Sequence, residues 1–175
     1  ASMSKLMLIY IVFERLQNST ISLDHEFLVS KKAWKYGGSK MFVNISDKVS
    51  VIDLLKGVIV QSGNDACIVL AEGMSGSEEN MVEEMNDKAF EIGLINSNFT
   101  NVTGWPHEDH YMSLKDIGYL SKLIITDFPE YYYLFSLNEF TYNDIKQFNR
   151  NKLISIDGYD GLKTGRTTQS GYGIV

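Results

Sequence analysis

The sequence feature that most constrains the fold lies at the start of the chain, where a short polar segment runs directly into eight apolar residues. The polar segment is Ala1-Ser2-Met3-Ser4-Lys5, and the apolar run extends from Leu6 to Phe13. Apolar side chains on most faces of one helix are typical of a helix buried inside a domain. We therefore expect a helix from Ser2 to about Gln17 at the centre of the core.

The spacing of Ser2 and Lys5 indicates chemistry at the first turn of this helix. Residues three apart project from the same face, so the Lys5 amine can reach the Ser2 hydroxyl. Unpaired N–H groups at a helix start also favour the anionic oxygen that forms when a serine attacks a carbonyl. The alternative is a capping serine followed by a solvated lysine, and motifs elsewhere in the chain decide between the two.

Composition and charge exclude several classes of protein. The 175 residues are 44% hydrophobic and 22% charged, which is ordinary for a globular domain. A net charge of -6 argues against a nucleic-acid partner or an anionic membrane surface, because both are recognised by clustered Lys and Arg. Cys67 is the only cysteine, which excludes an internal disulfide and a zinc site of several thiolates.

The remaining sequence predicts a helical middle followed by a sheet. Capping boxes at Ser50 and Ser113 predict helices that end at about Val60 and before Pro129. Two further helices are expected between them, one from about Asn64 and one from Ser77 to a stop at Gly93. A short helix then precedes a hairpin with arms at residues 139–142 and 147–149, and residues 158–175 are predicted as strand, turn and strand.

A second motif, Ser62-Gly63-Asn64, lies at the break between two predicted helices. Cleavage of an amide by a serine requires a proton to reach the leaving group, and a hydroxyl such as Ser62 can relay it. The side chain of Asn64 can orient both Lys5 and the amide carbonyl of a substrate.

A third motif, Lys163-Thr164-Gly165, lies on a predicted strand. For an extended substrate along this strand, the lysine attracts a carboxylate, the threonine hydroxyl donates to it, and the glycine allows close approach of the backbone. We expect the positive charge of Lys163, together with burial, to lower the pKa of Lys5.

The motifs Ser-x-x-Lys, Ser-x-Asn and Lys-Thr-Gly, in this order, resemble those of the penicillin-binding protein and serine β-lactamase superfamily. Within that superfamily, the residues around the motifs most resemble those of the D-alanyl-D-alanine carboxypeptidases of the low-molecular-weight penicillin-binding protein 5 type. The resembling segments are residues 1–5, 38–42, 61–67, 148–151 and 160–167. The resemblance implies an α+β fold, with a helical region, an antiparallel sheet and a cleft between them. It also implies one catalytic domain over residues 1–175 that is truncated at both ends, so that its sheet is incomplete.

The resemblance also implies a role for each motif residue. The implied catalytic residues are Ser2 as nucleophile, Lys5 as proton acceptor, and Ser62 and Asn64 as the relay and orienting pair. The implied substrate-binding residues are Lys163, Thr164, Gly165, Arg166 and Thr167. The oxyanion hole would consist of the backbone N–H groups of Ser2 and Arg166, and the Arg166 guanidinium stands where relatives often have histidine. No cofactor or metal is implied.

The implied activity is removal of the terminal D-alanine from peptidoglycan stem pentapeptides through an acyl-enzyme on Ser2, with covalent inhibition by penicillin. The implied partners are a stem peptide ending in D-Ala-D-Ala and β-lactam antibiotics. Nucleic acid is not among them, and any membrane contact would be made by segments outside these residues. The implied location is the periplasm or the outer face of the bacterial cytoplasmic membrane.

Three other functions share these motifs. A β-lactamase needs fast deacylation, and no Glu-x-x-Leu-Asn occurs between Ser62 and Lys163. A peptidoglycan endopeptidase differs in the D-alanyl bond that it cuts, and a penicillin-sensing domain keeps the acylation residues without turnover. The loop from Phe99 to Tyr111 departs most from the family pattern. Its His107-Glu108-Asp109-His110 segment is expected to be solvated rather than to bind zinc.

The incomplete sheet leads to two further expectations about packing. The strand that carries Lys163 should have only the run from Tyr172 to Val175 beside it, which leaves its other edge unpaired. The first helix should also lose part of the cover over its apolar surface, and exposure of large apolar side chains costs roughly 1.5 to 3 kcal/mol each.

Overall fold

The computed structural model describes all 175 residues, and helices predominate in it. The helices are α1 Lys5–Gln17, α2 Lys31–Lys35, α3 Val51–Val60, α4 Asn64–Ser75, α5 Glu78–Glu91 and α6 Leu114–Asp127. The strands are β1 Glu26–Leu28, β2 Lys48–Ser50, β3 Ser97–Asn98, β4 Tyr111–Met112, β5 Glu139–Tyr142, β6 Ile145–Phe148, β7 Thr164–Thr167 and β8 Gly171–Ile174. Three 3₁₀ turns occupy Ser2–Ser4, Tyr132–Ser136 and Lys152–Ser155. None of the helices has both the length and the apolar character that crossing a bilayer requires.

The strands form four separate antiparallel pairs, β1 with β2, β3 with β4, β5 with β6 and β7 with β8. The hairpin predicted near residues 139–149 is confirmed as β5 and β6. The predicted strand–turn–strand over residues 158–175 is confirmed for β7 and β8, but residues 158–163 form no strand, so β7 begins at Thr164 and Lys163 precedes it. Strand β8 is the only neighbour of β7, as the sequence predicts.

Helix α1 lies at the centre of the core. The eight apolar residues from Leu6 to Phe13 are all buried, and none is more than 6% exposed. Helices α5 and α6 pack against α1, and the Phe13 ring contacts the rings of Phe128 and Phe135 with centroids 5.8 and 6.1 Å apart. The expectation that α1 loses part of its apolar cover is therefore wrong, because these elements already cover it.

Serine caps begin four of the helices and fix where each one starts. Ser50 Oγ accepts from the backbone N–H of Asp53 at 3.3 Å, and Ser113 Oγ accepts from that of Asp116 at 3.1 Å. Ser30 and Ser77 cap α2 and α5 in the same way. Each such cap satisfies an otherwise unpaired N–H group at a helix start. The two predicted capping boxes are thus confirmed as helix starts.

Two helical glycines differ in the space around them and so test the packing of α4. A Cβ added at Gly73 would lie 2.2 Å from Phe27 Cγ, whereas one at Gly118 in α6 would meet no atom within 4 Å. We expect Gly73→Ala to lower the free energy of unfolding by roughly 1 to 3 kcal/mol, because the overpacking exceeds the gain in helix propensity. Gly118→Ala, the matched control, should raise it by roughly 0.5 to 1 kcal/mol. Urea denaturation measures both, and equal stability of the two variants would contradict the packing of α4 on β1.

Candidate active site

The site is built around the turn that leads into α1. Residues Ser2–Ser4 form a 3₁₀ turn, and α1 continues from Lys5. The Lys5 amine donates a hydrogen bond to Ser2 Oγ at 3.0 Å. Lys5 is completely buried, while Ser2 is half-buried at the wall of a cleft. The contact that the sequence predicted between these two side chains is present.

The second motif meets Lys5 from the break between α3 and α4. Asn64 Oδ1 accepts from the Lys5 amine at 2.7 Å, and Ser62 Oγ lies 3.3 Å from the same nitrogen. Ser62 has a φ of 62°, in the left-handed region that non-glycine residues rarely adopt. Such backbone costs on the order of 1 to 3 kcal/mol and is found where the surrounding structure holds it. Here it directs the Ser62 hydroxyl towards the lysine.

The third motif completes the cluster. Lys163 immediately precedes β7, is 2% exposed, and donates from its amine to Ser62 Oγ at 3.0 Å and to Thr164 O at 2.8 Å. The Ser62 hydroxyl therefore lies between two buried amines. A hydroxyl both donates and accepts, so it can carry a proton between them. The structure thus brings together three motifs that are far apart in the sequence.

Burial changes the protonation of both amines. It lowers the pKa of Lys5 from 10.5 to about 8, and the positive charge of Arg150 acts in the same direction. Burial also lowers the pKa of Lys163 well below its usual value, and the charge of Lys5 lowers it further. The repulsion between the Lys5 and Lys163 amines is mutual, as expected from the sequence, and Arg150 is a further cation near Lys5 that no sequence motif indicated. The neutral form of the Lys5 amine is therefore accessible near physiological pH.

The backbone N–H groups of Ser2 and Arg166 belong to residues that line the cleft. Lys163 exchanges both backbone hydrogen bonds with Val175, so the N–H and C=O groups of Thr164 and Arg166 point away from β8. Ser2 is the first residue of its 3₁₀ turn, and its N–H has no acceptor within the turn. Glycine at position 165 lets β7 lie against this turn, since a Cβ there would be 3.1 Å from Ala1 Cβ.

The cleft in front of Ser2 is rich in positive charge. Its volume is about 570 Å³, and its lining residues are Ser2, Ser39, Ser62, Arg150, Lys152, Thr164, Gly165, Arg166, Tyr172, Gly173 and Ile174. Three of these carry positive charge and none is acidic, although the chain as a whole has a net charge of -6. No sequence motif pointed to Arg150 or Lys152 as part of the site. Arg150 lies in a resembling segment, which was the available signal, and Lys152 carried none.

A smaller part of the cleft, about 340 Å³, opens on Ser2 as well. Its walls are formed by Gly38, Ser39, Asn64, Thr103, Gly104, Trp105, Pro106, Arg166, Thr167, Thr168 and Gln169, together with Ser2. The Arg166 guanidinium lies over the Tyr172 ring, 4.8 Å from its centroid. The Thr167 hydroxyl is 2.6 Å from that of Ser170 and accepts from the Ser170 N–H, so it closes the turn between β7 and β8.

The loop of residues 37–42 forms one wall of the cleft and is held by Asn64 and Asp65. The buried Asp65 carboxylate accepts from the N–H groups of Met41 and Phe42, both at 2.9 Å. Asn64 Nδ2 donates to Gly37 O at 2.8 Å, and the Asn64 N–H donates to Ser39 O. Sequence reasoning gave Asp65 no role, although it directly follows the Ser-x-Asn motif.

The loop from Phe99 to Tyr111 lies behind the 3₁₀ turn. The His107 side chain is 51% exposed, as expected for a solvated loop. The expectation is wrong for His110, which is partly buried and places Nε2 2.9 Å from Ser4 Oγ. Burial lowers the pKa of His110 to about 4, so its ring is neutral at pH 7. No residue of this loop was assigned a role from the sequence.

Comparison with known proteins identifies the class to which this fold and site belong. Penicillin binding protein 5 from Haemophilus influenzae has the same fold, with a TM-score of 0.95 and 41% identity over 99% of this chain and 52% of that chain. Penicillin-Binding Protein D2 from Listeria monocytogenes in the ampicillin-bound form gives a TM-score of 0.86 and 29% identity over 99% and 72%. The fold is therefore that of the penicillin-binding proteins.

The family assignment follows from the sequence match over the complete chain. The family model described as D-alanyl-D-alanine carboxypeptidase matches residues 1–175. The D-alanyl-D-alanine carboxypeptidase DacC of Escherichia coli strain K12 is 42% identical over 183 residues, covering 100% of this chain and 46% of that protein. The chain belongs to the D-alanyl-D-alanine carboxypeptidase family, as the sequence motifs predicted. It spans about half the length of the curated relatives it matches.

The lowered pKa of Lys5 predicts a pH-dependent stability. Its folded-state pKa of about 8 lies below the ordinary value of 10.5, so between these pH values the unfolded chain binds more protons and stability rises with pH. Each pKa unit corresponds to about 1.4 kcal/mol, so the rise contributed by Lys5 should approach about 3 kcal/mol. Denaturant unfolding from pH 7 to pH 11 should show this rise in the difference between the wild type and Lys5→Met, because other groups such as Cys67, whose pKa burial raises to about 12, titrate in both proteins.

The exposed Lys31 supplies a matched control, because Lys31→Met removes a lysine that is not buried. This variant should keep the pH slope of the wild type. If Lys5→Met and Lys31→Met have the same slope between pH 8 and pH 11, the buried amine does not have the lowered pKa described above.

Proposed function

We propose that this chain carries the catalytic site of a serine-type D-Ala-D-Ala carboxypeptidase. It would remove the terminal D-alanine from peptidoglycan stem pentapeptides through an acyl-enzyme on Ser2. The observation that carries the proposal is the buried Lys5 amine, 3.0 Å from Ser2 Oγ, with a pKa lowered to about 8. About one amine in ten is then neutral at pH 7, and a neutral amine at hydrogen-bond distance is a base for the hydroxyl.

In the acylation step, the Lys5 amine takes the proton of Ser2 Oγ as this oxygen attacks the carbonyl carbon of the penultimate D-alanine. The carbonyl oxygen becomes negatively charged, and the N–H groups of Ser2 and Arg166 are its proposed donors. The proton passes from Lys5 through the Ser62 hydroxyl to the leaving nitrogen, and free D-alanine departs. Water then cleaves the ester on Ser2 and restores the hydroxyl.

A carboxylate on the substrate would assist the proton transfer. In the free protein, burial and the charge of Lys5 lower the pKa of Lys163. A carboxylate bound near its amine favours the charged form and raises this pKa. Ser62 connects the amines of Lys5 and Lys163 at 3.3 and 3.0 Å, so a proton can move from Lys5 to Lys163 as the substrate binds. Lys5 is then neutral when the scissile bond arrives.

The distribution of charge supports the orientation of the substrate. The leaving D-alanine ends in a carboxylate, and the 570 Å³ part of the cleft carries Arg150, Lys152 and Arg166 without an acidic residue. We assign the leaving D-alanine to this part and the acyl portion of the peptide to the 340 Å³ part beside Asn64. The Asn64 amide is within the latter and is the proposed contact of the peptide carbonyl.

The same reaction explains why β-lactams are proposed as covalent inhibitors. A β-lactam presents a reactive amide beside a carboxylate, and attack by Ser2 opens the ring without releasing a leaving group. The Listeria monocytogenes relative in its ampicillin-bound form supports this assignment. A substrate in the cell wall supports a proposed location in the periplasm or at the outer face of the bacterial cytoplasmic membrane.

A diacyl peptide ending in D-Ala-D-Ala tests the proposal, with the same peptide as its C-terminal amide for comparison. We expect release of one D-alanine from the acid, little release from the amide, and slow turnover of benzylpenicillin after one covalent adduct per chain. Mass spectrometry should place this adduct on Ser2 and find none in Ser2→Ala. Ser155→Ala changes an exposed serine that does not line the cleft and serves as the control that should still be labelled.

Other outcomes would replace the proposal with a different function. Rapid turnover of benzylpenicillin would make the protein a β-lactamase. A covalent adduct without peptide hydrolysis would favour a sensing domain, and cleavage of cross-linked peptide alone would favour an endopeptidase. Equal rates for the acid and the amide would contradict recognition of the terminal carboxylate.

A further inference from the structure

His110 contacts Ser4, which lies two residues after the proposed nucleophile Ser2. Its Nε2 is 2.9 Å from Ser4 Oγ, and its Nδ1 accepts a hydrogen bond from the backbone N–H of Thr100 at 3.2 Å. A neutral imidazole has one N–H, and an acceptor at Nδ1 places that proton on Nε2. The lowered pKa of His110 keeps the ring neutral at physiological pH. His110 therefore donates to Ser4 Oγ.

The Ser4 hydroxyl connects His110 to the peptide bond between Ala1 and Ser2. Ser4 is 3% exposed, and its Oγ donates to Ala1 O at 3.2 Å. The backbone N–H of Ser4 donates to the same oxygen at 3.1 Å. Ala1 O thus accepts two hydrogen bonds from one residue, and this residue is itself held by His110.

The peptide that Ala1 O belongs to is the one that carries the Ser2 N–H. In a planar trans peptide, the C=O and N–H bonds point in opposite directions. Fixing Ala1 O against Ser4 on one side therefore fixes the Ser2 N–H on the other side, where it is a proposed donor of the oxyanion hole. Hydrogen bonds to a C=O group also polarise its peptide, which strengthens the N–H as a donor.

The loop that carries His110 also contacts this peptide directly. Gly104 has a φ of 76°, and a Cβ at this position would lie 2.5 Å from Ala1 O and 2.9 Å from Ser4 Oγ. A glycine is therefore required for the loop to pack against the peptide. Two separate features of the loop, the glycine and the histidine, constrain the same carbonyl group.

From this chain of contacts, we infer that His110 is a positioning residue for acylation, which acts through Ser4 to orient the peptide whose N–H stabilises the oxyanion. The inference rests on the proposed function, because it assumes that Ser2 is acylated. It assigns a role in the reaction to a histidine that none of the three sequence motifs contains. His110 does not touch the reacting atoms, and its effect is on the geometry and strength of one donor.

The acyl-enzyme formed with benzylpenicillin provides a direct measurement, since its carbonyl oxygen occupies the oxyanion hole. A weaker donor leaves the carbonyl bond stiffer, so its infrared band lies at higher wavenumber. In His110→Phe we expect this band to move to higher wavenumber and the acylation rate constant to fall roughly tenfold to a hundredfold. This loss is smaller than the hundredfold to thousandfold that removal of an oxyanion donor costs.

Three further variants separate positioning from general damage to the fold. His110→Gln keeps an N–H donor at a similar distance and should retain the wild-type band and rate within about threefold. Ser4→Ala removes the intermediate hydroxyl and should shift the band in the same direction as His110→Phe. His107→Phe changes an exposed histidine in the same loop that makes no contact with Ser4, and it should leave both readouts unchanged.

The possible results are distinguishable. An unchanged carbonyl band in both His110→Phe and Ser4→Ala, measured on acylated protein, would overturn the inference and leave the proposed function intact. A band shift of equal size in His107→Phe would also overturn it, because the effect would then belong to the loop as a whole. A wild-type protein that forms no adduct with benzylpenicillin would overturn the proposed function, and the inference with it.

Discussion

The structure depends on the burial of one lysine amine at the start of the central helix, and this burial is by itself energetically unfavourable. Lys5 is fully buried, and its nitrogen lies within hydrogen-bond distance of Ser2, Ser62 and Asn64. Burying an unpaired charge is costly, so the amine is retained only because polar groups surround it and because its neutral form is accessible. The polar contacts and the lowered pKa that reduce this cost are also what the proposed role of Lys5 as a base requires.

The rest of the fold keeps this amine in place and excludes water from it. Apolar residues follow Lys5 directly in α1, which is surrounded by other elements and thus cannot rotate to expose the lysine. The turn at Ser62 adopts a left-handed backbone that brings a hydroxyl between two amines, and Asp65 fixes the adjacent loop through backbone N–H groups. The buried Lys5 amine and the left-handed backbone of Ser62 both lower the stability of the fold, as is common where a site needs a defined geometry.

Much of the architecture could be predicted from the sequence, because it is encoded locally. The apolar run after Lys5 indicated a buried helix, and the serine caps marked helix starts at Ser50 and Ser113. The motif spacing predicted the cluster of Ser2, Lys5, Ser62, Asn64 and Lys163, whose contacts the structure contains. The catalytic and binding roles of these residues remain proposals.

The features that could not be predicted arise from tertiary contacts. Arg150 affects Lys5 only because the chain returns to the cleft more than a hundred residues later, and no local pattern marks this return. His110 resembled a solvated residue because its neighbours are polar, yet the loop folds back onto Ser4. The cover over α1 was underestimated for the same reason, since α5 and α6 supply it from distant parts of the sequence.

We propose that the neutral amine of Lys5 activates Ser2, and the pH dependence of Ser2 acylation measures this activation. We expect the acylation rate constant for benzylpenicillin to rise with pH and to level off above an apparent pKa near 8. In Lys5→Arg, whose guanidinium stays protonated, the rate constant should fall by more than about a hundredfold and this inflection should disappear. A wild-type profile without an inflection near pH 8, or a Lys5→Arg variant that is acylated at nearly the wild-type rate, would contradict the account.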